Sequence, residues 1–257
     1  MQNRVERDSV NEFPVPARSK VRTLAELMTG YGLILVVIWT PRPWQRYFYI
    51  AALLAILLAT IFSFDGWRAM GFRITGFWRC AWVVAVALLI AAGAIALAIS
   101  LQTLNAPRGV SGFIGSFAGY AIWSFFQQFL LQDFVLLRLM RLLPESFAGR
   151  TAAALTAAGL FALAHLPSPI LTGATLVWGL AACFLFLRYR NLYPLAVAHA
   201  IFGITIAITI PGPVDHNMRV GLGYWRYHPP RPAHLNQSDH KTSTRVWVMA
   251  EAPIRRS

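Results

Sequence analysis

The chain is divided by long stretches that contain no charged residue, and these constrain its fold more than any other feature. No Asp, Glu, Lys or Arg falls within 47–64, 80–107, 109–132, 151–187 or 191–214. An uncharged apolar run of about 18 or more residues has the length of a helical membrane crossing. Hydrocarbon offers no partner to backbone N–H and C=O groups, so such a run must satisfy them internally as a helix. Only 13% of the residues are charged and 57% are hydrophobic, whereas a soluble domain carries roughly 25% charged residues. The expected fold class is therefore all-α: a polytopic membrane bundle of about seven transmembrane helices with irregular polar termini.

Proline and glycine mark where the helices stop. The pattern predicts helices over about 23–40, 47–64, 80–102, 111–143, 150–166, 170–187 and 192–210, with breaks at Pro41 and Pro43, Pro107, Pro144, Pro167 and Pro169, and Pro211. Residues 1–22 read as a polar N-terminal arm with Pro14 and Pro16, 23–211 as the bundle, and 212–257 as a basic irregular C-terminal tail containing Pro229-Pro230-Arg231-Pro232. Glu6, Asp8 and Glu12 interrupt the arm, which is not the pattern of a cleavable secretory leader.

The net charge is +13. In a soluble protein that excess points to nucleic acid, but here the basic residues lie in the arm and the connections, where they meet anionic lipid and orient the helices. Lipid, not nucleic acid, is the expected partner. Arginines cluster in the arm, after the second helix (Arg68, Arg73, Arg79), between Arg138 and Arg150, and at Arg188 and Arg190. This bias predicts an inner, cytoplasmic membrane with the N-terminus inside. Seven crossings then leave the basic tail outside, against the bias.

Polar side chains within a membrane usually have a function or a partner. The fourth helix carries Gln127, Gln128, Gln132 and Asp133; the end of the fifth carries His165; the middle of the seventh carries His199. Gln128 and Gln132 are four apart and share a helix face. Bridging between helices is an open reading for both histidines and for the glutamines. Cys80 and Cys183 read as small packing residues, Glu26 as an interfacial residue, and the tail histidines His216, His228, His234 and His240 have no regular ligand spacing.

Three elements in order carry a resemblance. Gln127-Gln128-Phe129-Leu130-Leu131-Gln132 stands where one family has EExxxR. Phe161-Ala162-Leu163-Ala164-His165 resembles its FxxxH, and His199-Ala200-Ile201-Phe202-Gly203 its HxxxN. Met70-Gly71-Phe72-Arg73 also resembles a family element. The chain is similar over roughly 111–205 to the CPBP intramembrane proteases, also called the Abi or type II CAAX prenyl protease family. The resemblance implies a hydrolytic centre in which the first glutamate activates water, two histidines hold or polarise it, with a divalent metal such as zinc as a candidate, and the asparagine binds the developing oxyanion. Carried over, the site residues are His165, His199, Gln127, Gln128 and Gln132, with His165 and His199 as the metal ligands and a prenylated or membrane-anchored peptide as substrate.

The sequence departs from that pattern at four positions: Gln127, Gln128, Gln132 and Gly203 replace Glu, Glu, Arg and Asn. Glutamine takes up no proton near neutral pH and is a poor zinc ligand. Without the acidic pair, an arginine at 132 would have no buried negative charge to meet, so the changes are mutually consistent. Asp133 is the one nearby carboxylate, rotated on an ideal helix by about 140° from Gln128. Three readings stay open: a CAAX-protease-like intramembrane metalloprotease whose base comes from elsewhere; a catalytically inactive relative that acts as a membrane scaffold or binds peptide or lipid; and a small-solute transporter, disfavoured by the lack of buried charge and repeat symmetry.

Overall fold

The computed structural model describes residues 19–74 and 76–228. Most of the N-terminal arm, Pro229-Pro230-Arg231-Pro232, His234 and His240 lie outside the described residues. Within them the fold is helical, without a β-strand. Seven main helices follow one another: α1 (Lys20–Trp39), α2 (Gln45–Phe62), α3 (Phe77–Ser100), α4 (Gly109–Leu142), α5 (Phe147–Leu163), α6 (Pro169–Tyr189) and α7 (Leu192–Thr209). Six are long and apolar enough to cross a membrane, and α5 is apolar but shorter, with 17 residues. Leu53, Leu57, Leu88, Leu89 and Ile90 point outward, as expected where lipid rather than water is the solvent.

Between helices in lipid there is little hydrophobic drive, so close packing of small residues holds them together. The α5–α6 seam shows this. Ala153, Ala154, Ala157 and Ala158 are fully buried. A Cβ placed on Gly179 of α6 would come within 3.2 Å of the Phe161 ring and 3.5 Å of Ala158. Elsewhere α1 packs on α2, and α7 packs on both α3 and the first part of α4.

Helix α4 contains one wide turn. Over Leu130–Leu136 it is π-helical, and the N–H of Leu137 reaches the carbonyl of Gln132, five residues back. Before this turn α4 faces α7; after it, Leu137–Leu142 faces α1. The second half is fixed by charge. Arg138, 3% exposed, places its guanidinium 3.1 Å from Glu26 of α1 and 4.0 Å above the Phe134 ring. Glu26 also accepts from Arg22 at 2.9 Å and from Ser63 at 2.8 Å. Arg141 pairs with Asp65.

The connection after α2 clamps the start of α7. The Gly71 carbonyl accepts from Leu192 N–H at 3.0 Å, and Asn191 Nδ2 donates to the Arg73 carbonyl at 2.9 Å. Gly71 has φ +77°, and a Cβ there would meet Phe186 at 2.6 Å and the Leu192 nitrogen at 3.2 Å. The position therefore requires glycine on both counts. This clamp sets the entry of α7, and thereby the placement of His199 two turns later.

At the opposite end of the bundle, residues 212–228 fold back with short helical turns at Gly212–Asp215 and Leu222–Trp225. Gly221 N–H donates to the Leu166 carbonyl at 2.6 Å and abuts Ile38 near the end of α1. His216 stacks with Tyr224 and Tyr227, with ring centroids 3.8 and 5.1 Å away. Asp215 is 2% exposed. Burial pushes its carboxyl above the usual range, opposed by backbone N–H donors that include Asn217. A raised folded-state value means the folded cap binds more protons than the unfolded chain. The cap should tighten as pH falls from neutral through that value, and Asp215→Asn should flatten the response. Spin labels at Arg219 and Thr40 report this as a distance distribution; broadening on acidification would contradict it.

Candidate functional site

Two helices, α4 and α7, and the turn after α5 bring their scarce polar side chains together. Gln128 on α4 lies with Nε2 2.8 Å from Nδ1 of His199 on α7, and both residues are buried. Gln127 lies with Nε2 3.4 Å from Nε2 of His165. Gln132 donates to Gln128 Oε1 at 3.4 Å and lies within hydrogen-bonding reach of Cys183. The Phe161 ring packs edge-on against both imidazoles, 4.9 Å from His165 and 5.8 Å from His199 by centroid. Trp178 packs edge-on against His199 at 6.4 Å and against Phe202 at 5.0 Å. The five residues carried over from the resemblance, Gln127, Gln128, Gln132, His165 and His199, thus lie in one cluster.

His165 stands in a turn, not on α5 as the apolar pattern predicts. The helix ends at Leu163, because Pro167 and Pro169 bias the residues before them away from helical geometry. The turn directs His165 Nδ1 to the Phe161 carbonyl at 2.7 Å. A carbonyl only accepts, so Nδ1 carries the proton and Nε2 presents its lone pair to the Gln127 amide. For His199 the relation is reversed. With the Gln128 amide nitrogen on Nδ1, that atom accepts and Nε2 carries the proton. One imidazole therefore offers a donor, and the other has its acceptor covered.

Several buried polar atoms around the cluster have no hydrogen-bond partner: Gln127 Oε1, Gln132 Oε1 and Trp178 Nε1. An unpaired buried polar atom is costly unless something else satisfies it. Two acceptors and one donor match a neutral group that both donates and accepts, such as a peptide amide.

Asp133 does not join this cluster. It is 5% exposed, and its carboxylate oxygens lack a hydrogen-bond partner. It lies in electrostatic reach of Arg190 and Arg138. Among the described residues no three or more His, Cys, Asp or Glu side chains converge as a metal-binding group. A catalytic zinc normally takes three protein ligands and is offset by thiolate or carboxylate charge. Two imidazoles among neutral amides do not fit that pattern.

Residues 124–205 match the family model described as type II CAAX prenyl endopeptidase Rce1-like. That stretch is about a third of the chain, contains all five cluster residues and supports a family-level likeness. No curated protein and no solved structure matches the chain.

Three neighbours of the cluster escaped the sequence reading. Trp178 resembles any other apolar residue of α6 until its indole nitrogen is seen buried without a partner. Ser124 and Tyr120 lie four and eight residues before Gln128, and the i, i+4 rule that links Gln128 to Gln132 extends to both.

Proposed function

We propose that this chain is a non-hydrolytic relative of the type II CAAX prenyl endopeptidases, one that binds a membrane-anchored peptide at the polar cluster shared by α4, the turn after α5, and α7. One observation carries the reading: each histidine is bonded to a glutamine amide, at 2.8 and 3.4 Å, where the resembling motif has carboxylates. An amide holds an imidazole in place but accepts no proton. Loss of a general base reduces a hydrolytic rate by roughly 10²–10⁴-fold. What remains is a neutral set of donors and acceptors suited to an uncharged peptide group. Helices α4 and α7, which carry the glutamines and His199, are long and apolar enough to cross a membrane, and this supports a partner held by a prenyl or acyl anchor. The N-terminus faces the cytoplasm in this reading, because arginines dominate the end that carries Arg68, Arg73 and Arg190.

The test uses the full chain in nanodiscs with a fluorescent, C-terminally prenylated peptide. Binding without cleavage is expected, and His199→Ala should weaken it about tenfold by stranding the Gln128 amide. Cleavage by the unmodified chain that disappears in His199→Ala would overturn the reading in favour of an active protease.

A further inference from the structure

The position of the motif asparagine is empty of side chain here, and a tyrosine from another helix fills the space. Gly203 follows His199 by one turn of α7, so both project from the same face. Gly203 is buried. A Cβ built on it would fall on the hydroxyl and ring of Tyr120 from α4. No side chain at 203 can coexist with Tyr120 where it stands.

Tyr120 is also the outer member of a polar stripe. Tyr120, Ser124, Gln128 and Gln132 recur every four residues, and the last three are fully buried. Ser124 Oγ donates to the Tyr120 carbonyl at 2.9 Å and lies within reach of the phenol. Helices α4 and α7 pack together, so one turn outward from the Gln128–His199 pair Ser124 on α4 and Gly203 on α7 are the next residues on the shared face, and the side chain of Tyr120, a further turn out on α4, reaches Gly203.

We propose that the Tyr120 hydroxyl is a ligand-facing hydrogen-bond donor of the His199 cluster, delivered from α4 to the space that Gly203 leaves on α7, and that it recognises a carbonyl oxygen. A phenol O–H, like an amide N–H, is a neutral donor that does not titrate near pH 7. It therefore completes an uncharged site without introducing a buried charge. A tyrosine that only filled space would need its ring but not its hydroxyl. This inference rests on the peptide-binding reading and adds to it the group that contacts the peptide carbonyl.

The experiment measures binding of the prenylated peptide probe to the full chain in nanodiscs, alongside thermal unfolding. Tyr120→Phe keeps the ring and should weaken binding by about three- to tenfold, the loss of one net hydrogen bond, with unfolding unchanged. Gly203→Asn alone should lose binding through collision with the tyrosine. Tyr120→Ala combined with Gly203→Asn should recover binding relative to either single change, because the donor then comes from α7. A 13C=18O label on successive peptide carbonyls supplies a further readout: one stretch should move to higher frequency in Tyr120→Phe. Unchanged binding and no carbonyl shift in Tyr120→Phe, with His199→Ala still weakened, overturns the tyrosine's role and leaves the pocket reading intact. Absence of binding by the unmodified chain overturns both.

Discussion

Replacing Gln127 and Gln128 together by glutamate should raise the divalent-metal affinity of the cluster sharply. The two amides already touch His199 and His165, and glutamate has nearly the same shape. The exchange turns two imidazoles and two amides into two imidazoles and two carboxylates, a four-ligand set that zinc accepts. The carboxylates also offset the divalent charge in a dry interior, where an unbalanced ion is costly. The gain in zinc affinity should exceed the roughly 10–100-fold that outer hydrogen-bond partners contribute to such sites. Metal analysis after dialysis should find about one zinc per chain in the double variant, with a matching zinc-dependent rise in Tm. Adding His199→Ala should abolish both effects. Equal metal content in the double variant and the parent would mean that the four side chains do not face a common point.

Glu26→Ala should be the most damaging change outside the polar cluster. It removes the carboxylate shared by Arg22, Ser63 and Arg138. The Arg138 guanidinium stays 3% exposed, and breaking a buried pair from one side costs about 3–5 kcal/mol. Glu26→Leu with Arg138→Met should be much milder than Glu26→Ala, because replacing both members by apolar groups is often close to neutral. Unfolding in detergent by a denaturant series measures each. If the double replacement proves as destabilising as Glu26→Ala, the pair matters for more than its charge balance.

The sequence reveals the fold where physics leaves one option. Uncharged runs in hydrocarbon must be helical, and the seven helices start and stop within a few residues of where prolines and charges place them. It reveals the cluster less directly. Gln128 and Gln132 share a face by simple periodicity, but the meeting of Gln128 with His199, 71 residues later, follows only from the motif resemblance. Three features stay hidden for identifiable reasons. The π turn has no sequence marker, since a wide turn needs no proline or glycine. Tyr120 and Trp178 look apolar until their polar atoms are located. The clamp on α7 depends on Gly71, whose positive φ and close approach to Phe186 become visible only once the chain has folded around it.

The wide turn at Leu130–Leu136 bears on how such a pocket changes over time. A continuous α-helix locks the angular positions of all its residues, so a surface adapted to one neighbour dictates the surface offered to the next. An extra residue in one turn breaks that phase relation. The segment bearing Gln127 and Gln128 and the segment bearing Arg138 and Arg141 then answer to different neighbours. Side chains upstream can therefore change to suit α7 while the arginine anchor downstream keeps its seat against α1.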